Sequence, residues 1–252
     1  STFLQRAMDQ VIHDVAILNL PVVFGVDRGG LVEDGETHQG VFDIAHLRSV
    51  PNFTVLAPKD AQELRDMVYT AVKEAKGPVA IRFPRDKAVG ATTDGVEQPA
   101  GFKLIEPTSW EILQPADHGN KENSKPPVIL AYGAMVDVTR QALELVKSEQ
   151  RPLLVNARSA KPLDTNLLSE LVRDGYGTFI TVEEGCLAGG FGAAVLEWMS
   201  TAGQEIADGL PRVLPIAIPD QFVEHGARPI LLDLNGLSKE KIAQRIEKVL
   251  SK

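Results

Sequence analysis

The stretch from Pro21 to Asp43, PVVFGVDRGGLVEDGETHQGVFD, changes character after Val26. PVVFGV is apolar at alternate and intervening positions alike, the pattern of a strand covered on both faces. From Asp27 to Asp43 the chain then carries one arginine, one histidine, five carboxylates and four glycines, with almost nothing to bury. In open α/β sheets ligands sit beyond the carboxyl ends of the strands, which is where this loop is delivered.

Working outward, the same alternation recurs. FTVLAP and GPVAIRFP read as further strands, and DAQELRDMVYTAVKEA as a helix that begins at an Asp60 N-cap. Upstream, STFLQRAMDQVIHDVAIL spaces Phe3, Ala7, Val11 and Val15 four apart, an amphipathic helix. Downstream, PVILAYG, PLLVNA, GTFITVEE and VLPIAIP are strands. They alternate with the helices AMVDVTRQALELVKSE, DTNLLSELVRD, GGFGAAVLEWMS and SKEKIAQRIEKVLSK. Short doubly buried strands separated by helices define the α/β class: two three-layer α/β/α domains with mostly parallel sheets, divided near residues 100–126. The polar run ADHGNKENSKPP at the division reads as an exposed linker with an insertion at 115–126.

Composition narrows the function classes. The 252 residues are 44% hydrophobic and 24% charged with a net charge of −8, and no basic block or interleaved aromatic run is present. A nucleic-acid surface is therefore not expected. Apolar runs fall far short of membrane-spanning length. One cysteine, Cys186, cannot form an internal staple, which fits a reducing, cytosol-like compartment. The chain opens on Ser1 with no preceding strand, and we expect it to be a piece of something longer.

Within the loop, Arg28 can fork onto a phosphate or carboxylate, and His38 can shuttle protons. A glycine-rich connector with Asp34 capping a turn explains the same residues, and both readings stay open at this point. Arg82 and Arg85 end the strand AIRFPR. An arginine there is commonly a solvated edge charge, but Pro84 fixes the backbone before Arg85, and two arginines converging from Arg28 and Arg85 would make a dianion site. EEGCLAGGFGAA follows a strand and opens a helix, yet lacks both phosphate-loop spacings, so its glycines are expected to serve close packing. Cys186 has no activating partner and is expected to be inert. His13, His46, His118 and His225 show no metal-ligand spacing, so no metal site is expected.

With STFLQRAMDQVIHDVA, DRGGLVEDGETHQGVFDIAHLRSVPNFTVLAPKDAQEL, GPVAIRFPR, VNARSAKPLD, TVEEGCLAGGFGAAVLE and IPDQFVEHG in view, the chain resembles the 1-deoxy-D-xylulose 5-phosphate synthases among transketolase-like enzymes. The resemblance implies a pyrimidine-binding domain over 1–100, incomplete at its start, a linker over 101–126 and a transketolase-like C-terminal domain over 127–252. It implies thiamine diphosphate with Mg2+, and pyruvate and D-glyceraldehyde 3-phosphate as substrates. The products would be 1-deoxy-D-xylulose 5-phosphate and carbon dioxide, in isoprenoid synthesis. By the same resemblance Phe3 stacks on the aminopyrimidine with Arg6 beside it, and Arg28 and Arg85 hold the acceptor phosphate. His38 lies near the reacting carbons, and Asp34 orients the substrate complex. It further implies a homodimer in a bacterial cytoplasm or a plastid stroma.

Two departures are visible. GLVEDGETHQG is one residue shorter than that family's usual loop and matches the transketolase length, which alters the spacing from Arg28 to Asp34 and His38. The activating glutamate, the magnesium motif and the diphosphate-binding domain of that family precede the matched region, so this chain is expected to be inactive alone and to need that missing half. The alternatives are a transketolase, a 2-oxo acid dehydrogenase β subunit, or a non-catalytic dimerisation fragment.

Overall fold

The computed structural model describes residues 1–87, 101–117, 119, 125–201, 206 and 209–251. Half of the polar insertion at 115–126, His118 included, lies outside these described residues.

The entry helix is one continuous right-handed run whose hydrogen-bond period changes along its length. A 3₁₀ segment, Thr2–Ala7, passes into one α turn, α1 (Met8–Gln10), and then a π segment, Val11–Ala16. The amphipathic reading holds at Val11, which is buried, and departs at Phe3, whose residue is 58% exposed.

The first sheet runs β1 (Val23–Val26), β3 (Val79–Arg82), β2 (Thr54–Leu56) and β7 (Ser159–Lys161) in that order. β1 and β2 flank β3 in parallel, while β7 arrives from the second half and pairs antiparallel with β2. Between these strands lie α2 (Asp43–Ser49) and α3 (Ala61–Glu74). The expected Asp60 cap is present, its carboxylate accepting the Glu63 N–H at 2.8 Å. The period of two is visible in β3: Val79 and Ile81 face Met67 and Ala71 of α3, whereas Ala80 turns to the core shared by both halves.

The second sheet runs β4 (Glu111–Gln114), β6 (Leu153–Asn156), β5 (Val128–Ala131), β8 (Thr178–Cys186) and β9 (Arg212–Ile218). All its pairings are parallel except β4 with β6. The segment expected to be linker thus contains an edge strand. Its outward residues are polar or exposed, so it lacks the doubly buried signature that betrayed the others.

Around this sheet are α4 (Met135–Leu145), α5 (Thr165–Arg173), α6 (Phe191–Ser200), α7 (Arg228–Leu234) and α8 (Lys239–Leu250). In β5, Ile129 and Ala131 point into the layer built with α4 and α8, while Val128 and Leu130 point into the shared core with Phe191 and Val195 of α6. Burying each of these larger side chains contributes about 1.5–3 kcal/mol, which is why the strand has no polar face. An aromatic seam closes the shared core: Phe191 stacks on Tyr132 at 5.2 Å and takes Trp110 edge-on at 5.7 Å.

Candidate active site

Parallel pairing places the carboxyl ends of β1 and β3 side by side, with Val26 opposite Arg82. Arg28 lies two residues past the first and Arg85 three past the second. The strand ends are tied further by Phe83 N–H to Val26 O at 3.0 Å and Gly29 N–H to Phe83 O at 2.9 Å.

The loop after β1 is closed at its neck. Gly30 and Gly40 exchange backbone hydrogen bonds of 2.6 and 2.8 Å. Gly30 sits at φ +103°, and a Cβ there would lie 2.5 Å from Glu184 Cδ, so both conformation and space demand glycine. Buried Gln39 latches the loop inside and out. Its Oε1 accepts Val32 N–H at 2.7 Å, and its Nε2 donates to Val32 O at 3.0 Å and to Glu224 O of the second half at 3.3 Å. The Thr2 hydroxyl donates to Gln39 O at 2.6 Å, which draws the entry helix to the same place.

The structure brings Arg28, Asp34 and Arg85 together. Arg85 Nη1 lies 3.0 Å from Asp34 Oδ2, and Arg28 Nη1 lies 3.9 Å from that same oxygen. The two guanidinium groups meet at one anionic atom, and all three side chains are 38–53% exposed. Arg28 itself is held at φ +53°, a left-handed conformation unfavourable for a side chain of that size. Next to this cluster, Phe3 takes the His38 ring edge-on at 5.4 Å. Thr37 Oγ1 is 2.9 Å from His38 Nδ1, which leaves Nε2 with no hydrogen-bond partner among the described residues. Arg6 is exposed at the end of the same 3₁₀ segment as Phe3. One turn separates this exposed ring from a guanidinium with no partner among the described residues. Among the described residues no group of three or more His, Cys, Asp or Glu could hold a metal ion.

Below the loop lies a support that sequence reasoning missed. Arg82, read alone as a solvated edge charge, is 5% exposed. Its Nε is 2.9 Å from both Asp43 oxygens, and its Nη2 donates to Gly40 O at 3.1 Å and Glu184 O at 2.6 Å. Burial opposes its charge, but Asp43, Tyr132 and Glu184 outweigh that cost and its pKa is raised. Glu184, also buried, accepts Leu31 N–H at 2.7 Å and Arg228 Nη2 at 2.6 Å. None of these partnerships has a sequence signal, because the partners lie 39 to 153 residues apart.

The glycine-rich turn after β8 has a definite occupant. Glu183 caps α6, its two oxygens accepting Phe191 and Gly192 N–H at 2.7 Å each. The helix end that resembles an anion site is therefore filled by the chain's own carboxylate. Burial pushes that carboxyl up to about 7 despite the two backbone donors. Cys186 donates to Ala188 O, and burial together with Glu183 pushes its thiol up to about 11, well away from reactivity. His225 is exposed, and its backbone and Cβ back onto Gly35, where a Cβ would come within 3.2 Å.

Comparison with known proteins falls on both halves. Residues 1–118 match the family described as "Transketolase, pyrimidine binding domain", and residues 120–242 match "Transketolase, C-terminal domain". The chain belongs to the transketolase family through these two consecutive domains. Within it, the chain is similar to proteins named 1-deoxy-D-xylulose-5-phosphate synthase. It is 46% identical over 252 residues to that of Aquifex aeolicus, covering 99% of this chain and 37% of the relative. It is likewise 46% identical to those of Symbiobacterium thermophilum and Gloeobacter violaceus, covering 99% and 100% of this chain and 36% and 37% of theirs. The chain thus spans little more than a third of the length of these curated relatives. A solved structure titled "Split gene transketolase, inactive beta4 tetramer" superposes with a TM-score of 0.75 at 26% identity, over 99% of this chain and 73% of the other. No helix among the described residues is long and apolar enough to cross a membrane.

Proposed function

We propose that this chain forms one wall of a thiamine diphosphate-dependent 1-deoxy-D-xylulose 5-phosphate synthase, joining pyruvate to D-glyceraldehyde 3-phosphate with release of carbon dioxide. The observation that carries the reading is the convergence of Arg28 and Arg85 on one anionic oxygen, next to His38 and the exposed ring of Phe3. Two forked donors around one point suit a phosphate dianion, whose oxygens would take the place that Asp34 Oδ2 holds here.

Thiamine diphosphate, when bound, supplies the carbanion nucleophile and the electron sink for decarboxylation. This chain's residues bind and orient around it. Phe3 and Arg6 hold the aminopyrimidine edge, and Arg28 and Arg85 hold the acceptor phosphate. His38 exchanges a proton at Nε2, and Asp34, released from the arginines, orients the substrate hydroxyls. Among the described residues no group of three or more His, Cys, Asp or Glu could hold Mg2+, and we assign the ion and the diphosphate to a diphosphate-binding partner domain or chain. On this reading the chain alone is inactive, pairs with that partner, assembles as a homodimer of such pairs and works in a bacterial cytoplasm or plastid stroma.

The test is Arg85→Ala in the chain assembled with a diphosphate-binding half. A lost guanidinium–phosphate contact of about 1.5–3 kcal/mol corresponds to roughly a 10- to 100-fold rise in KM for the phosphorylated aldehyde. A KM that barely moves removes the phosphate assignment. The split transketolase supports a second reading, in which the partnered chain works on ketose donors. Turnover of a ketose phosphate without pyruvate would establish it instead.

A further inference from the structure

We propose that Arg228, on the C-terminal half, is a positioning residue that holds Arg28 and Arg85 at their mutual spacing. The C-terminal half thereby takes part in phosphate selectivity. The proposal rests on the reading of Arg28 and Arg85 as the phosphate pair.

One guanidinium reaches both arms of that pair. Arg228 Nη2 donates to Glu184 Oε2 at 2.6 Å, and Glu184 Oε1 accepts Leu31 N–H at 2.7 Å, three residues past Arg28. Arg228 Nη1 donates to Asp86 Oδ2 at 2.5 Å, one residue past Arg85. The Arg228 side chain is 11% exposed and Glu184 is 2% exposed, so that arm of the fork is shielded from competing water, while the Asp86 arm is 47% exposed. Between the two arms lies a cavity of about 310 Å³ lined by Val32, Glu33, Arg85, Asp86, Arg228 and Pro229. The segment leading into α7 braces the same loop again, with Gly226 N–H donating to Glu33 O at 3.2 Å.

Geometry and charge work together. Arg228 holds the Asp86 carboxylate next to Arg85 and, through Glu184, the Leu31 N–H three residues past Arg28. Without it, Asp86 keeps only the Lys87 N–H on its other oxygen and, adjacent in sequence to Arg85, competes for that guanidinium, as Asp34 already does. A lysine cannot replace it, because one ammonium lacks the planar fork that serves two carboxylates at once.

The experiment titrates inorganic phosphate into the full chain and follows the side-chain Nε–H resonances of Arg28 and Arg85, with far-UV circular dichroism as the fold control. The wild type is expected to show saturable shifts at both arginines. Arg228→Lys and Arg228→Met weaken that binding by roughly tenfold, the scale expected when a support is displaced by a fraction of an ångström. Adding Asp86→Asn to Arg228→Met restores part of the affinity, an effect that a merely structural role does not produce. Wild-type affinity in both Arg228 variants overturns the proposal. If Arg228→Met fails to fold, Arg228→Lys decides alone. Arg85→Ala, made with Arg228 intact, tests the underlying pair. Unchanged phosphate binding there removes that reading and this proposal with it, whereas loss of binding there with wild-type behaviour at Arg228 removes the proposal only.

Discussion

Asp43→Asn removes one charge from a buried pair while keeping nearly the same shape. Asp43 and Arg82 side chains are 1% and 5% exposed, with 2.9 Å between the nearest atoms. At that separation their gross attraction is about 6 kcal/mol for an effective dielectric constant of about 20. Desolvation of the two ions costs several kcal/mol each, so the intact pair contributes little net stability. The variant is different, since it retains the whole cost of burying Arg82 and turns an amide N–H2 toward a guanidinium that has no lone pair to offer. We expect a loss of about 3–5 kcal/mol, which for a chain of this size is a fall in Tm of roughly 6–20 °C. Urea and thermal unfolding followed by far-UV circular dichroism measure it. Asp34→Asn provides the exposed comparison, expected within about 1 kcal/mol of wild type. Pairing Asp43→Asn with Arg82→Met removes both charges and should recover most of the loss. A cost below about 1 kcal/mol for Asp43→Asn would show that Arg82 is neutralised some other way and would refute the buried-strut argument.

Four further outcomes are expected. Gly30→Ala, at φ +103° and with a Cβ 2.5 Å from a carboxylate pinned on both oxygens, should cost about 2 kcal/mol or more by urea unfolding. Gly25→Ala, where a Cβ meets nothing within 4 Å, should fall within about 0.5 kcal/mol of wild type or stabilise. Asp34→Asn in the chain alone should tighten inorganic phosphate binding roughly fivefold, since it removes a competing charge worth about 1 kcal/mol in water, and a weaker phosphate isotherm would contradict this. The Glu183 carboxyl, raised from 4.5 to about 7, keeps in the folded chain a proton that the unfolded chain has already released. Its contribution is therefore fully present below about pH 4.5 and is lost as pH rises to about 7, a decline of about 3 kcal/mol that then levels off. Urea midpoints at pH 5 and 8 should show Glu183→Gln reducing that decline.

What the sequence disclosed and what it hid follow from distance along the chain. Doubly buried strands announce themselves locally, and so do caps such as Asp60, whose partner is three residues on. The Glu183 cap on α6 was foreseen only as close glycine packing, since a helix end satisfied from the preceding strand leaves no spacing signature. α2 and α7 span seven residues each and β7 three, too short to establish a period. β4 was hidden by its exposed residues. Arg82 shows the remaining limit: nothing at residues 80–85 reveals a carboxylate waiting at residue 43. Phe3 shows the converse, an apolar side chain placed by periodicity on a buried face that the structure leaves in the open beside His38.

The two halves build the candidate site jointly. β7 crosses back to complete the first sheet beside β2. Asn156 Nδ2 and Arg158 Nε, from the second half, lie 2.9 and 2.8 Å from buried Glu63 on α3. At the loop itself, the second half supplies Glu224 O to Gln39, Glu184 O to Arg82 and Glu184 Oε1 to Leu31. A first half folded alone would leave the Gln39 amide, the Arg82 guanidinium and the Leu31 N–H each short of a buried partner, at about 1–3 kcal/mol apiece. The loop that carries Arg28, Asp34 and His38 would then keep its Gly30–Gly40 neck but lose its floor. Separating the halves should therefore abolish the arginine convergence before it unfolds either sheet. An isolated first half that still bound phosphate through both arginines would show that the second half is only architecture.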